Sequence, residues 1–220
     1  MHTRTFGDLS ILLPDLDPRD LDAVTEQSDD LQEADVDGVR WTRARLDEVR
    51  WQSSRLIGVD LGESVWDGGR VFGCELDRVD LSGAELSGLT VERCRLSGCK
   101  LTGARLSGVT LKDVLFEGCR FDYASLRLVV ATGAVAFVDC VLTNATLTSC
   151  RLPNAAVRSC KLMGAELDGC HLRGADLRGN DLSGLKAGLS NLAGVTLAPD
   201  QLPGLADLAV TELGVTVERQ

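Results

Sequence analysis

The residues of this 220-residue chain best able to do chemistry are eight cysteines and two histidines. They are Cys74, Cys94, Cys99, Cys119, Cys140, Cys150, Cys160 and Cys170, with His2 and His171. Cysteine thiolates ligate soft metals, pair into disulfides or act as nucleophiles. The spacing argues against each of these. There is no C-x-x-C pair of the kind a metal or redox site uses. One internal histidine supplies neither a metal pair nor a base placed beside a nucleophile. Glycine recurs, but not as the loop between a strand and a helix that cradles phosphate. The expectation is no catalytic residue, no cofactor site, no metal site and no enzyme, with the partner-binding residues unassigned.

A different regularity accounts for the cysteines. Large apolar residues recur every five positions, from Val36, Trp41, Leu46, Trp51 and Leu56 through Leu76, Leu96, Leu106 and Phe116 to Leu126, 19 in succession. Two residues before each of these centres stands a small or β-branched residue, and every cysteine occupies that slot. Ala or Val fills the same slot elsewhere, and a free cysteine behaves as a small buried hydrophobe, so packing is the expected role. A period of five suits neither a helix, where successive centres would walk round the cylinder, nor a flat strand, where they would alternate faces. The backbone must turn within every repeat, and the glycines that often follow two residues after a centre suit such a turn. The register slips once. Centres resume at Phe137, Leu142 and Leu147, which places one extra residue within 127–136. The apolar run from Leu126 to Ala131 is either a buried bulge that resets the register or a contact site.

Three boundaries follow: an acidic N-terminal cap over 1–33, the repeat array over 34–202, and a C-terminal cap over 203–220. In the first, Asp17 and Pro18 predict a short helix reaching about Glu26, with Asp17 as N-cap and Pro18 in the first turn. In the last, Leu205 to Leu213 reads as a helix, and Val215 to Val217 as an edge strand after Gly214. Trp41, Trp51 and Trp66 sit at early centres and are expected to fill a wider end. No apolar run approaches the roughly 20 residues of a membrane span, and the first ten residues lack the pattern of a signal peptide. A cytoplasmic protein without membrane contact is expected.

Charge is uneven. The net charge is −10, and residues 8–37 alone hold eleven acids against Arg19. From residue 38 onward there are 22 acids and 21 bases, so no basic field for direct nucleic-acid binding is expected. Arg40, Arg45, Arg50 and Arg55 precede four successive centres. They predict a belt around one coil that pairs with the acidic leader.

Ala84-Glu85-Leu86-Ser87-Gly88, Ala104-Arg105-Leu106-Ser107-Gly108 and Ala175-Asp176-Leu177-Arg178-Gly179 resemble the pentapeptide-repeat family. The resemblance covers about residues 34–200. It implies an all-β fold, a right-handed quadrilateral β-helix of roughly eight coils, four repeats per coil, capped at both ends. Cysteines twenty apart would then lie in adjacent coils with parallel side chains, reduced in a cytosolic chain. The resemblance implies a non-enzymatic surface for a protein partner, either an unknown one or DNA gyrase or topoisomerase IV. Distant members of the quinolone-resistance branch bind those enzymes as DNA mimics, and they dimerise through C-terminal segments. On the residues alone a general interaction scaffold is favoured, because the repeat body is close to neutral and its outward positions are often basic.

Overall fold

The computed structural model describes residues 1–218. The five-residue period closes into a quadrilateral β-helix of about eight coils. Residues twenty apart pair in parallel, as in Leu46 with Trp66 and Leu86 with Leu106. At about 4.8 Å per coil the column is roughly 40 Å long. We name its sides by their inward centres. The first carries Leu56, Leu76, Leu96, Phe116, Phe137 and Val157. The second carries Trp41, Leu61, Leu81, Leu101, Phe121 and Leu142. The third carries Leu46, Trp66, Leu86, Leu106, Leu126 and Leu147. The fourth carries Trp51, Val71, Val91, Leu111, Ala131 and Leu152. Almost all of these are buried in one continuous core.

The corner two residues after almost every centre adopts a left-handed backbone, φ 63° at Gly88 and 67° at Gly103. That explains the glycines. Where another residue stands there, as at Arg43, Arg93, Tyr123 or Asn144, it takes the same conformation at some cost. One glycine answers a tighter need. A Cβ at Gly69 would lie 2.1 Å from the Val49 backbone nitrogen of the coil beneath.

The register slip is a corner insertion. Leu111 pairs with Ala131, twenty residues on, but Val114 pairs with Val135, twenty-one on. The extra residue is therefore absorbed between 131 and 135. The run from Leu126 to Ala131 is neither a bulge nor one apolar patch. Leu126, Val129 and Ala131 point inward, and only Leu128 is well exposed, at a corner.

The leader departs from the expected end cap. Residues 1–13 form an antiparallel hairpin, β1 (His2–Phe6) and β2 (Leu9–Leu13). It packs on the first side of the column, not on its end. Ile11 and Leu13 are fully buried there against Leu115, Ala136 and Ala156. The end itself is closed by an incomplete coil, in which Asp22–Ala23 pairs with Ala34 and Asp35, and Asp30–Gln32 pairs with Arg50 to Gln52. Two tryptophans fasten it. Trp41 Nε1 donates to the Thr25 carbonyl at 3.2 Å, and Trp51 Nε1 to the Ser28 carbonyl at 3.1 Å. The predicted helix after Asp17 is a single 3-10 turn, Pro18–Asp20. Asp17 caps it by accepting from the Arg19 amide. It stops because the following residues enter the sheet.

Half of the arginine belt grips the leader. Arg50 lies 3.4 Å from Asp30 and Arg55 3.6 Å from Asp35, whereas Arg40 reaches forward to Asp60. Among the described residues Arg45 has no carboxylate within ion-pair distance. A belt circles the coil, but the leader presents carboxylates on only part of that circle.

At the far end α1 (Leu202–Leu213) closes the column through Leu208, and Gly214 ends it in a left-handed cap. The helix begins three residues before the predicted Leu205, because Pro203 falls in its first turn, where no amide bond is needed. Val215 to Val217 do not form the expected strand. They leave the cap where no sheet edge is offered, the last coil being closed by side chains instead. Gln201 Nε2 donates to the Leu177 and Asn180 carbonyls, and Asn180 Oδ1 accepts from the Cys160 amide. Residues 219–220 of the expected cap lie outside the described residues.

Candidate interaction surface

The interior offers nothing to a ligand. Its two axial cavities, about 50 Å³ each, are walled by apolar side chains, and no polar group is present to orient a guest. All eight cysteines are free and buried. Cys99, Cys119, Cys140 and Cys160 form one column behind the second side, because the residues following them pair in register: Lys100 with Arg120, Arg120 with Val141, and Val141 with Lys161. Burial pushes the Cys94 thiol up. The thiols of Cys140 and Cys99, together with burial, push Cys119 up. Cys94 and Cys119, held this way, remain protonated, whereas neighbouring thiols lower Cys140 (Cys119 and Cys160) and Cys170 (Cys150), so that burial is what shields those two from reagents. Among the described residues no three His, Cys, Asp or Glu side chains converge to hold a metal ion. An aromatic disulfide reagent is expected to modify none of the eight thiols in the native protein and all of them after unfolding. Fast modification of any native thiol would contradict this burial.

The outward residues of the column read as vertical ladders. On the first side the residue before each centre runs Asp35, Arg55, Glu75, Arg95, Leu115, Ala136, Ala156 and Asp176, each beside the next in adjacent coils. The lower half alternates in charge. The next three rungs are apolar, and these receive the hairpin. The periodic centres concealed this signal. It shows when the outward positions are compared at a spacing of one coil, where three adjacent apolar rungs stand out against charged ones.

An ion pair fastens the hairpin's first strand to the column, and a charged cluster of the column lies beside its turn. Arg4 Nη1 donates to Glu117 Oε1 at 2.6 Å, and Arg95 reaches the same carboxylate at 2.7 Å. Burial raises the affinity of Glu117 for a proton, but the two arginines outweigh it and hold the group below the usual carboxylate range. At the hairpin turn, Gly7 approaches Arg158. Arg178 donates to Asp176 at 2.9 and 2.8 Å, and Arg158 donates to Asp176 as well. Arg178, opposed by partial burial and joined by Arg158, lowers Asp176 to about 2. A carboxyl depressed in the folded state stabilises fully above its unfolded value, and that contribution is lost as pH falls through the folded value. Glu117, which Arg4 of the hairpin holds, is such a carboxyl, so the hairpin is expected to loosen as pH falls below about 4. The carboxyl carbon of Asp176 should titrate with a midpoint near 2, and a midpoint near the ordinary aspartate value would contradict the clamp.

The other three sides are open, and their charge patterns differ. On the second side opposite charges stack across coils: Arg40 with Asp60, Arg43 with Glu63 and Lys100 with Asp80. On the third, Arg105 meets Glu85 and Lys186 meets Glu166. These are exposed pairs, worth little in stability, and they leave both sides mixed in sign. Exposed apolar side chains on the column are scattered: Val65, Tyr123, Leu128 and Met163. The fourth side is predominantly basic and holds a groove of about 300 Å³ lined by Gln32, Arg50, Trp51, Gln52, Arg70 and Phe72.

Comparison with known proteins agrees with this geometry. A family model described as pentapeptide repeats matches eight copies, over residues 74–113 and 158–194. No curated protein sequence matches the chain. Among solved structures, a trypsin-treated variant of QnrB1, a plasmid-mediated fluoroquinolone resistance protein, is 19% identical with a TM-score of 0.52. The match covers 86% of this chain and 100% of that one. HetL, a pentapeptide repeat protein involved in heterocyst differentiation regulation in the cyanobacterium Nostoc, is 24% identical with a TM-score of 0.45. That match covers 77% of this chain and 83% of the other. At 19% identity the likeness to the QnrB1 variant is one of fold alone.

Proposed function

We propose, from the premise that the chain belongs to the pentapeptide-repeat family, that it is a non-enzymatic scaffold whose open sides bind a protein partner. One observation carries this reading. The inward positions are nearly uniform, whereas the outward ladders differ from side to side, with one side already occupied by the chain's own hairpin. A surface that accepts one β-hairpin on three apolar rungs has the chemistry to accept other protein elements. Eight unpaired thiols suit a reducing compartment such as the cytoplasm. Reversing charges on one open side at a time, followed by affinity capture, tests the reading. Loss of a captured protein with one side's variant and not with the others is expected. Capture indifferent to every side would contradict it.

A second reading, a DNA mimic acting on gyrase or topoisomerase IV, draws on the acidic leading end, where Asp15, Asp20, Asp22, Glu26 and Asp37 are exposed. Mimicry of duplex DNA needs a continuous negative face for a basic saddle. The mixed second and third sides and the basic fourth side count against one. A supercoiling assay with and without a fluoroquinolone should show no effect of the purified protein even in large excess. Inhibition or protection at low concentration would favour mimicry. A homodimer through α1 is compatible with the scaffold reading, since Leu202 and Leu213 are exposed there, and the mass from sedimentation equilibrium in solution decides it.

A further inference from the structure

We propose that the fourth side of the column is a binding face for an acidic protein segment. The inference rests on the scaffold reading and names the chemistry of the partner. Six bases line this side between residues 50 and 174: Arg50, Arg70, Arg93, Lys112, Arg151 and Arg173. Glu92 and Asp113 oppose them, with Asp30 and Glu33 in the closing half-coil, where Asp30 pairs with Arg50. Glu92 is nearly buried and already held by two cations, Arg70 at 2.5 Å and Lys112 at 3.0 Å. Among the described residues Arg93, Arg151 and Arg173 lie within ion-pair distance of no carboxylate.

Like-charge rungs also occur on the second side, at Asp60 on Asp80 and Lys100 on Arg120, but there each charge has an ion-pair partner. On the fourth side Arg50 pairs in register with Arg70. Like charges directly opposite on a sheet repel. At other rungs opposite charges stack, Arg40 on Asp60 and Glu85 on Arg105. An anionic ligand laid along this side would relieve the repulsion. At the lower end Phe72 lies under two guanidiniums, 4.7 Å from Arg70 and 5.5 Å from Arg93. The groove beside it offers the amides of Gln32 and Gln52. Such a groove suits a side chain and a peptide group, so the face joins an anchoring pocket to a line of carboxylate-binding cations.

Nucleic acid fits less well. One side of the column spans about three strand residues, roughly 10 Å, narrower than a duplex groove of about 12 Å. A duplex would therefore set its phosphates against acids on the adjoining sides, Asp47, Asp67 and Glu85 on the third and Glu75 and Asp77 on the first. A single protein segment can stay between them.

The test uses the full chain and a fluorescein-labelled oligoglutamate peptide, with oligolysine and a short DNA duplex as comparisons, read by anisotropy at low and physiological salt. Oligoglutamate should bind, and added salt should weaken it. Arg151 and Arg173 are exposed, so R151E/R173E should fold with an unchanged melting temperature and weaken binding by about tenfold or more. The matching change on the second side, K100E/R120E, should alter it by no more than about twofold. Absence of binding at low salt, equal losses from both variants, or tighter binding of the DNA duplex would each overturn the inference. If oligoglutamate fails while a protein is captured through the second or third side, this inference falls and the scaffold reading stands. If no side captures a protein, the scaffold reading itself falls.

Discussion

Replacing Trp51 with alanine is expected to lower the unfolding free energy by about 3–5 kcal/mol, the usual cost of truncating a large buried aromatic. Trp51 is among the largest fully buried side chains. Its ring meets Trp66 edge-on at 4.7 Å and lies 6.4 Å from Trp41. Its indole N–H also holds the Ser28 carbonyl of the closing half-coil, so alanine both opens a cavity and releases the end. Trp51→Phe separates the two effects. It keeps most of the apolar contact, drops the hydrogen bond, and should cost about 1 kcal/mol from that bond. Denaturant unfolding followed by circular dichroism measures both. In a solenoid the loss should begin locally, so amide exchange in residues 22–52 should rise before that of the central coils. A loss below about 1 kcal/mol for alanine would mean that the first coil is not held through this residue.

Leu115→Asp should free the hairpin while leaving the column folded. Leu115 points outward from the first side and is fully covered by the hairpin. Aspartate there would lose the burial of a leucine, about 1.5–3 kcal/mol, and would set a carboxylate against Ile11 and Leu13. Each 1.4 kcal/mol is about tenfold in an opening equilibrium, so amide exchange in β1 and β2 should accelerate by at least about tenfold. Protection in the central coils should hold. Leu115→Ala, which removes contact without adding charge, should give a smaller rise. Unchanged exchange in the hairpin would contradict its docking on these three rungs.

The column was legible in the sequence because its cause is strictly periodic. Every fifth residue must be large and apolar if each side is to close on one axis, and no helix or flat strand reproduces that period. The cysteines were legible for the same reason, since they share a slot with alanine and valine. The hairpin was not. Its own residues are few, its strands pair only with each other, and its docking site is spread over Leu115, Ala136 and Ala156, separated by a full coil each and by the register slip. The acidity of the leader suggested one cap over the end, whereas Ile11 and Leu13 carry it to the side. The basic fourth side was hidden similarly. Net charge and linear charge counts average over four sides, and Arg50, Arg70, Arg93, Arg151 and Arg173 become neighbours only when the chain is wound. The C-terminal helix was readable from Pro203 and Gly214, the residues that start and stop it, but the fate of Val215 to Val217 depended on whether the last coil offers an edge.

The central claim, that the open sides of the column are the working part of the protein, is tested most directly by photocrosslinking from one side at a time. A photoreactive residue placed at Met163, Ser107 or Thr132, exposed positions on the second, third and fourth sides, reports each side separately in lysate. The account predicts a discrete protein adduct from at least one of these positions, strongest from Thr132 on the fourth side, and lost on competition with unlabelled protein. Absence of a competed adduct from all three, with the column shown to be folded, would contradict it.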